Sequence, residues 1–445
     1  MNMPSRTIDV QEFINAHKLS ATQIVTLLLC FFIVAVDGFD TAAIGFIAPA
    51  IRAEWTLTAG QLAPVFGAGL AGLMAGAFLF GPLADRFGRK SILMACVAFF
   101  GLACLASSFS TSLPMLIALR FLTGLGLGGA MPNAVTLSSE YSPEKHRSVL
   151  VTTMFCGFTL GSALGGVLAA HVVAGFGWRA VLMIGGLLPL VLLPVVLFAL
   201  PESVRYLVVK GKKLDQVRRM LQRIAPAEDL AEAGFALPEK ARAGFPVRQL
   251  FDSNLRRGML FLWLAFFMSL LVIYLLSSWL PTLIASTGMT LKDASLVTAM
   301  FQIGGTVGAI ALGQLMDRFN PQLVLGTTYA LAAGFTAMIG RSTGDTTLLI
   351  IAVFGAGFCV SGAQVGANAL AAGFYPTASR ATGVSWASGV GRIGSVLGSM
   401  AGGWMLALGW GLPAVFAIVG VPALIAGASL FAMGKVERSQ LVLAH

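Results

Sequence analysis

The sequence predicts an all-α membrane protein of twelve transmembrane helices in two pseudo-symmetric six-helix halves. Three observations carry that reading: the composition, the recurrence of long apolar runs, and an internal repeat. Of 445 residues, 57% are hydrophobic and only 11% charged, with a mean hydropathy of +0.85. That balance excludes an ordinary soluble globular domain.

A helix needs ~20 mostly apolar residues to cross a bilayer. Such runs fall at 22–47, 61–80, 91–109, 114–139, 148–171 and 178–200, then at 258–286, 293–315, 321–340, 346–373, 382–408 and 411–434. The chain therefore divides into an amino-terminal tail (1–20), a first half (21–200), a linker (201–257), a second half (258–434) and a carboxy-terminal tail (435–445). The tail before the first span holds Asp9, Glu12 and Lys18 and lacks the apolar core and cleavage site of a secretory signal. Within the linker, LDQVRRMLQRIA (214–225) has helical spacing and reads as a surface helix.

The halves repeat each other. GPLADR (81–86) recurs as GQLMDR (313–318) at an offset of 232, and LGSALGG (160–166) recurs as IGSVLGS (393–399) at an offset of 233. Duplicated halves are a recurring plan of transporters.

The net charge of +10 could suggest nucleic acid, but the placement of the cations argues otherwise. Arg86, Arg89, Lys90, Lys145, Arg147, the basic segment from Arg205 to Arg257, Arg318 and Arg380 lie on one side of the predicted spans; the other side has only Arg52, Arg179, Lys292 and Arg341. By the positive-inside rule both termini are cytoplasmic, and the basic excess reports topology with some attraction to anionic lipid. Cys30, Cys96, Cys104, Cys156 and Cys359 lie in apolar spans without metal-ligand spacing and read as packing residues. His17, His146, His171 and His445 are scattered, so no metal site or nucleophile set follows and no enzyme is expected. GLGLGG (124–129) follows no strand, which removes a dinucleotide reading and leaves close helix packing.

Four charges sit inside the spans. Asp37 and Asp40 are three residues apart and share one helix face. A carboxylate in lipid costs ~2.5–3.5 kcal/mol even on lenient scales, so such acids face a cavity and serve ion or proton traffic, or else form a buried structural pair. Arg120, in the fourth span, enters from the same side as the two acids and can pair with them. Arg392, near the middle of the eleventh span, has no acid at its depth in its own half, which makes it the first candidate for a substrate carboxylate. Tyr274, Trp279 and Trp386 are candidate walls for an aromatic ring; Asn133, Ser278, Gln302, Gln364 and Asn368 are candidate partners for a phenolic hydroxyl.

GPLADRFGRK (81–90) resembles the signature loop of the major facilitator superfamily. Its Gly81 and Gly88 would permit a tight turn, and Asp85 would cap a helix or meet a cation. PESVRYL (201–207) resembles another marker of that superfamily, positional rather than chemical. Glu140, with Arg89 and Arg147, reads either as an ion-pair latch or as a static surface pair; Arg86, Asp317, Arg318 and Arg380 belong to the same conformational set. In the fifth span GFTLGSALGG approximates a glycine motif of antiporters, with Ser162 where that motif has proline.

DGFDTAAIGFIAPAI is similar to the first span of the aromatic acid:proton symporter family. The similarity continues through DVQEFIN, RFLTGLGLGGAMPNA, MFCGF, SSWLPTL and RATGVSW to GRIG. It extends most closely to bacterial transporters of 4-hydroxybenzoate and protocatechuate. The resemblance implies a major facilitator fold and uptake of an aromatic carboxylate with protons, for aromatic catabolism, across the bacterial inner membrane. Asp37 and Asp40 are the expected proton-coupling residues on the ground of their placement in the span; no cofactor beyond the coupling proton, and a monomer, are expected. The rival expectations are a proton-coupled exporter and a membrane sensor that binds aromatic acids without moving them.

Overall fold

The computed structural model describes residues 6–210, 214–226, 228, 230, 233–236, 253–342, 344–375 and 380–443. Among them are twelve helices of span length. The first six are α2 (Ala21–Glu54), α3 (Ala59–Phe87), α4 (Arg89–Ser107), α5 (Leu113–Glu140), α6 (Arg147–Phe176) and α7 (Trp178–Ala199). The second six are α10 (Ser253–Ala285), α11 (Leu291–Arg318), α12 (Pro321–Arg341), α13 (Thr346–Phe374), α14 (Arg380–Ala407) and α15 (Leu412–Leu443).

Eleven of these helices are both long and apolar enough to cross a membrane. The exception, α14, has the length but carries Arg392 and a dense series of glycines and serines. The helix starts follow local chemistry. Thr290 caps α11 through the Asp293 N–H, Asn320 caps α12 through the Leu323 N–H, and Asp345 caps α13 through the N–H groups of Thr347 and Leu348.

Two compact units emerge from the packing, and each crosses the chain several times. The first comprises Met1–Phe39, Ala71–Gly161 and Leu182–Ala243. Here α3 and α5 touch so closely that a Cβ on Gly72 or Gly76 would strike the Phe121 or Leu125 carbonyl. Likewise α2 and α6 meet at Gly38, Gly157 and Gly161, and α4 meets α5 at Gly126 and Gly129. Lipid gives helices no hydrophobic reason to associate, so close backbone approach at glycine takes over that role.

This unit also holds the non-membrane elements. Strand β1 (Arg6–Asp9) pairs in parallel with β2 (Ala233–Ala236), and Asp9 caps α1 (Val10–Ala16) through the N–H groups of Gln11 and Glu12. Two short helices, α8 (Val204–Lys210) and α9 (Leu214–Ile224), belong to the linker; α9 is the surface helix expected from its spacing. Val217, Leu221 and Ile224 of α9 share a buried core with Ile8, Val10, Phe13 and Ile14. The amino-terminal tail is thus folded onto the linker.

The second unit comprises Asp40–Leu70, Ser162–Val181 and Gly244–His445. Gly304 and Gly308 of α11 abut the carbonyls of Phe354 and Phe358 on α13, and Gly394 and Gly398 of α14 abut those of Phe267 and Leu271 on α10. The carboxy-terminal end of α2 and the amino-terminal end of α3 join it: Gly45 leaves room only for the Ser277 carbonyl, Gly67 for Met400 and Gly403 for Ala63. At its corner Glu54 accepts from Trp178 Nε1 at 2.7 Å and Arg179 Nη1 at 2.6 Å.

Candidate functional site

Asp37 and Asp40 lie in an uninterrupted α2, 1% and 3% exposed. Gly38 stands between them because a Cβ there would collide with the Phe158 carbonyl of α6. The two acids are therefore carried on a helix pressed against its neighbour, and neither stands without a polar partner. Arg120 is also buried; its Nη2 donates to Thr123 Oγ1 at 3.1 Å and to Ser107 Oγ, at the end of α4, at 3.5 Å. Asn133 is buried and spends its amide N–H on the Gly129 carbonyl one turn back, at 2.7 Å.

A second group is built on α10, α11 and α14. Half-buried Arg392 donates from Nη1 to the Tyr274 hydroxyl at 3.2 Å. One turn along α10, Ser277 Oγ accepts from Gln302 Nε2 at 3.4 Å, and Ser278 is buried beside it. This gathers a guanidinium from α14 and an amide from α11 around a stretch of α10 that carries a phenol and two hydroxyls. On α13, Gln364 Nε2 donates to Asn368 Oδ1 at 3.5 Å, while the buried Gln364 Oε1 has no hydrogen-bond partner among the described residues. A buried acceptor left open is costly unless something donates to it, and a phenolic hydroxyl is such a donor.

The structure separates the two tryptophans expected as ring walls. Trp386 is 45% exposed and stacks on Trp263 with ring centroids 5.8 Å apart. Trp279 is 0% exposed, donates from Nε1 to the Ser399 carbonyl at 2.6 Å, and packs edge-on to Phe66 and against Gly402 and Gly403. It is a packing residue, because no ring face or polar atom is left for a ligand.

A charged network occupies the α3–α4 turn and the start of the linker. Arg89 pairs with Asp85 and, through Nε, with Glu140 Oε1, each at 3.2 Å. Glu140 Oε2 accepts from the Ser203 hydroxyl. Glu202 Oε1 accepts from the Lys90 and Ser203 backbone N–H groups at 2.9 and 2.8 Å. Tyr141, whose phenol is driven well above its ordinary pKa by burial, donates to the Glu202 carbonyl at 2.8 Å. Tyr206 donates to the Arg86 carbonyl at 3.2 Å. Gly88 alone makes the turn, at φ +102°, with Glu202 where a Cβ would be. Gly81, by contrast, lies within α3 in open space and does not shape the turn.

Two further expectations change. Arg147 does not reach Glu140; its nearest acid is Glu144, at 4.0 Å and three residues away, and Glu144 is also held by Asn15. PESVRYL is more than a positional marker, since Glu202, Ser203 and Tyr206 bind the turn. The only hint in the sequence was the juxtaposition of polar PES with the end of a span. Asp317 and Arg318 are exposed, and among the described residues their side chains form no ion pair. The side chain of Arg380 lies outside the described residues.

Comparison with known proteins agrees with this architecture. A family model described as Major Facilitator Superfamily matches residues 30–347 and 262–441. The chain is 50% identical to the 4-hydroxybenzoate transporter PcaK of Pseudomonas aeruginosa, over 99% of each chain. It is 46% identical to a gallate transporter of Pseudomonas putida, over 96% of this chain and 95% of that one. Its fold is similar to a partially occluded, inward open structure of the xylose transporter XylE from E. coli, with TM-score 0.72 at 16% identity, covering 93% of this chain and 98% of the other.

Proposed function

This chain belongs to the Major Facilitator Superfamily of membrane transporters, and from that premise we propose that it takes up an aromatic carboxylate, 4-hydroxybenzoate or a close hydroxybenzoate such as protocatechuate, in symport with protons. The observation that carries the reading is the 50% identity, over 99% of both chains, to a 4-hydroxybenzoate transporter. The gallate transporter at 46% identity supports the same substrate class, a ring with one carboxylate and phenolic hydroxyls.

In this scheme Arg392, steadied by Tyr274, takes the carboxylate through its planar fork. Gln364, with Asn368 beside it, accepts from the ring hydroxyl. Trp386 and Tyr274 offer ring faces. Arg120, buried in α5, is the second candidate cation of the scheme. The substrate is an anion at neutral pH, and its uptake against an inside-negative potential costs ~2.3 kcal/mol per charge per 100 mV. One proton on Asp37 or Asp40 cancels that term, and a second makes uptake electrogenic. Burying two carboxylates at membrane depth is worthwhile for a group that must change protonation.

The transporter works by alternating access as a monomer in a bacterial inner membrane, with both termini cytoplasmic, as the placement of Lys and Arg supports. The test is uptake of labelled 4-hydroxybenzoate into proteoliposomes with an imposed inward proton gradient. Competition by protocatechuate and gallate, and none by the uncharged 4-hydroxybenzamide, is the expected pattern. Efflux driven by the same gradient would instead identify an exporter, and binding without accumulation a sensor.

A further inference from the structure

We propose that a basic cavity framed by the ends of α3 and α7 and by α8 and α9 binds the phosphodiester headgroup of an anionic phospholipid. The cavity measures about 610 Å³ and is lined by Arg86, Lys90, Lys210, Arg219 and Arg223 against one carboxylate, Glu202. Glu202 is occupied elsewhere, since its Oε1 accepts from the backbone N–H groups of Lys90 and Ser203. Lys90 is satisfied by the Leu197 carbonyl at 2.7 Å. The other four cations are exposed, and among the described residues none of them forms an ion pair.

On α9 the cationic side is imposed by the fold. Val217, Leu221 and Ile224 are buried, which turns Arg219 and Arg223 outward, one helical turn apart. Like charges at that spacing repel. The one acid on the helix, Asp215, pairs with Arg218 at 3.0 Å and gives Arg219 only its backbone carbonyl. An anion seated beside Arg219 and Arg223 relieves this repulsion.

The lip of the cavity distinguishes a lipid from a soluble phosphate. Phe87, which closes α3, is 53% exposed, and Phe198, near the end of α7, is 83% exposed. These phenyl rings are exposed apolar surface at the ends of spanning helices, beside the cations, and an acyl chain would cover them. Soluble phosphate would use the cations and gain nothing from the rings. Basic pockets between spanning helices are established headgroup sites.

The test is native mass spectrometry of the full-length protein in micelles titrated with palmitoyl-oleoyl phosphatidylglycerol or the matching phosphatidylcholine. The phosphatidylglycerol adduct is expected to dominate, and the double variant Arg219→Gln/Arg223→Gln to weaken it about tenfold. Arg256→Gln/Arg257→Gln, which removes the same charge from exposed positions at the start of α10, should leave it unchanged. Millimolar glycerol phosphate should not displace the adduct. Equal retention of phosphatidylcholine, or equal loss in both double variants, would overturn the site. Displacement by glycerol phosphate would overturn the lipid and assign the cavity to a soluble phosphoester.

Discussion

Two copies of one loop motif, GPLADRFGRK at 81–90 and GQLMDRFNPQ at 313–322, are held in different ways. In the first, Gly88 turns the chain at positive φ, Arg89 bridges Asp85 and Glu140, and Glu202 and Tyr206 from the linker bind the turn. In the second, Asn320 caps α12 by itself, Pro321 starts it, and Asp317 and Arg318 remain exposed. The helices around the two loops are nonetheless packed alike. Gly72 and Gly76 meet the carbonyls of Phe121 and Leu125; Gly304 and Gly308, 232 positions later, meet those of Phe354 and Phe358, 233 positions later. Duplication has thus preserved the backbone contacts that build each half, while among the described residues the charged lock belongs to the first copy alone. The reason is local. Only the first copy has an acid at the end of the neighbouring span, Glu140, and a polar PES segment following its half.

The comparison predicts unequal responses at the loops and equal responses in the packing. The largest effect is expected from Gly88→Ala. Its φ carries a cost of ~1–2 kcal/mol for an L-residue, and the new methyl meets Glu202 at a further ~1–3 kcal/mol. Thermal unfolding in detergent should show a loss of several degrees with little remaining uptake.

Next come Gly72→Ala and Gly304→Ala, each pushing a methyl into a facing carbonyl for ~1–3 kcal/mol. Their melting shifts should agree closely; a harmless substitution at one of the two would break the claim of equivalent packing. Arg89→Gln and Glu140→Gln should follow, each removing the Arg89–Glu140 pair and leaving the remaining charge only Asp85 or Ser203, at ~1–3 kcal/mol, with a lowered uptake rate. In the second copy Asn320→Ala should cost ~1 kcal/mol through the lost cap. Asp317→Asn should stay within about 0.5 kcal/mol, as exposed substitutions do. A larger effect at Asp317 than at Glu140 would reverse the assignment of the lock.

The spans were legible because ~20-residue apolar runs leave few alternatives. α14 could be read as well, although its glycines and Arg392 lower its apolarity, because IGSVLGS matches the motif of the first half. The lock was legible only in part. Its members come from 85–90, 140–141 and 202–206, and nothing in spacing told that Arg147 would settle beside Glu144, three residues away, while Glu140 took Arg89. Nor could periodicity tell Trp279 from Trp386. A membrane helix is apolar on all sides, so its pattern does not say which ring faces a neighbouring helix and which stays open. The intramembrane charges stood out because lipid makes each one expensive, yet the Tyr274 that steadies Arg392 is placed by helix contact, not by sequence proximity.

The central claim is that a buried acid of α2 couples substrate to protons, and Asp37→Asn tests it most directly. Proteoliposomes containing this variant would be assayed for gradient-driven accumulation of labelled 4-hydroxybenzoate and for exchange of labelled against unlabelled substrate. Accumulation is expected to be lost while exchange survives, because the anion site remains and only the protonatable group is gone. Accumulation at the unsubstituted level would contradict it and remove Asp37 from the coupling path.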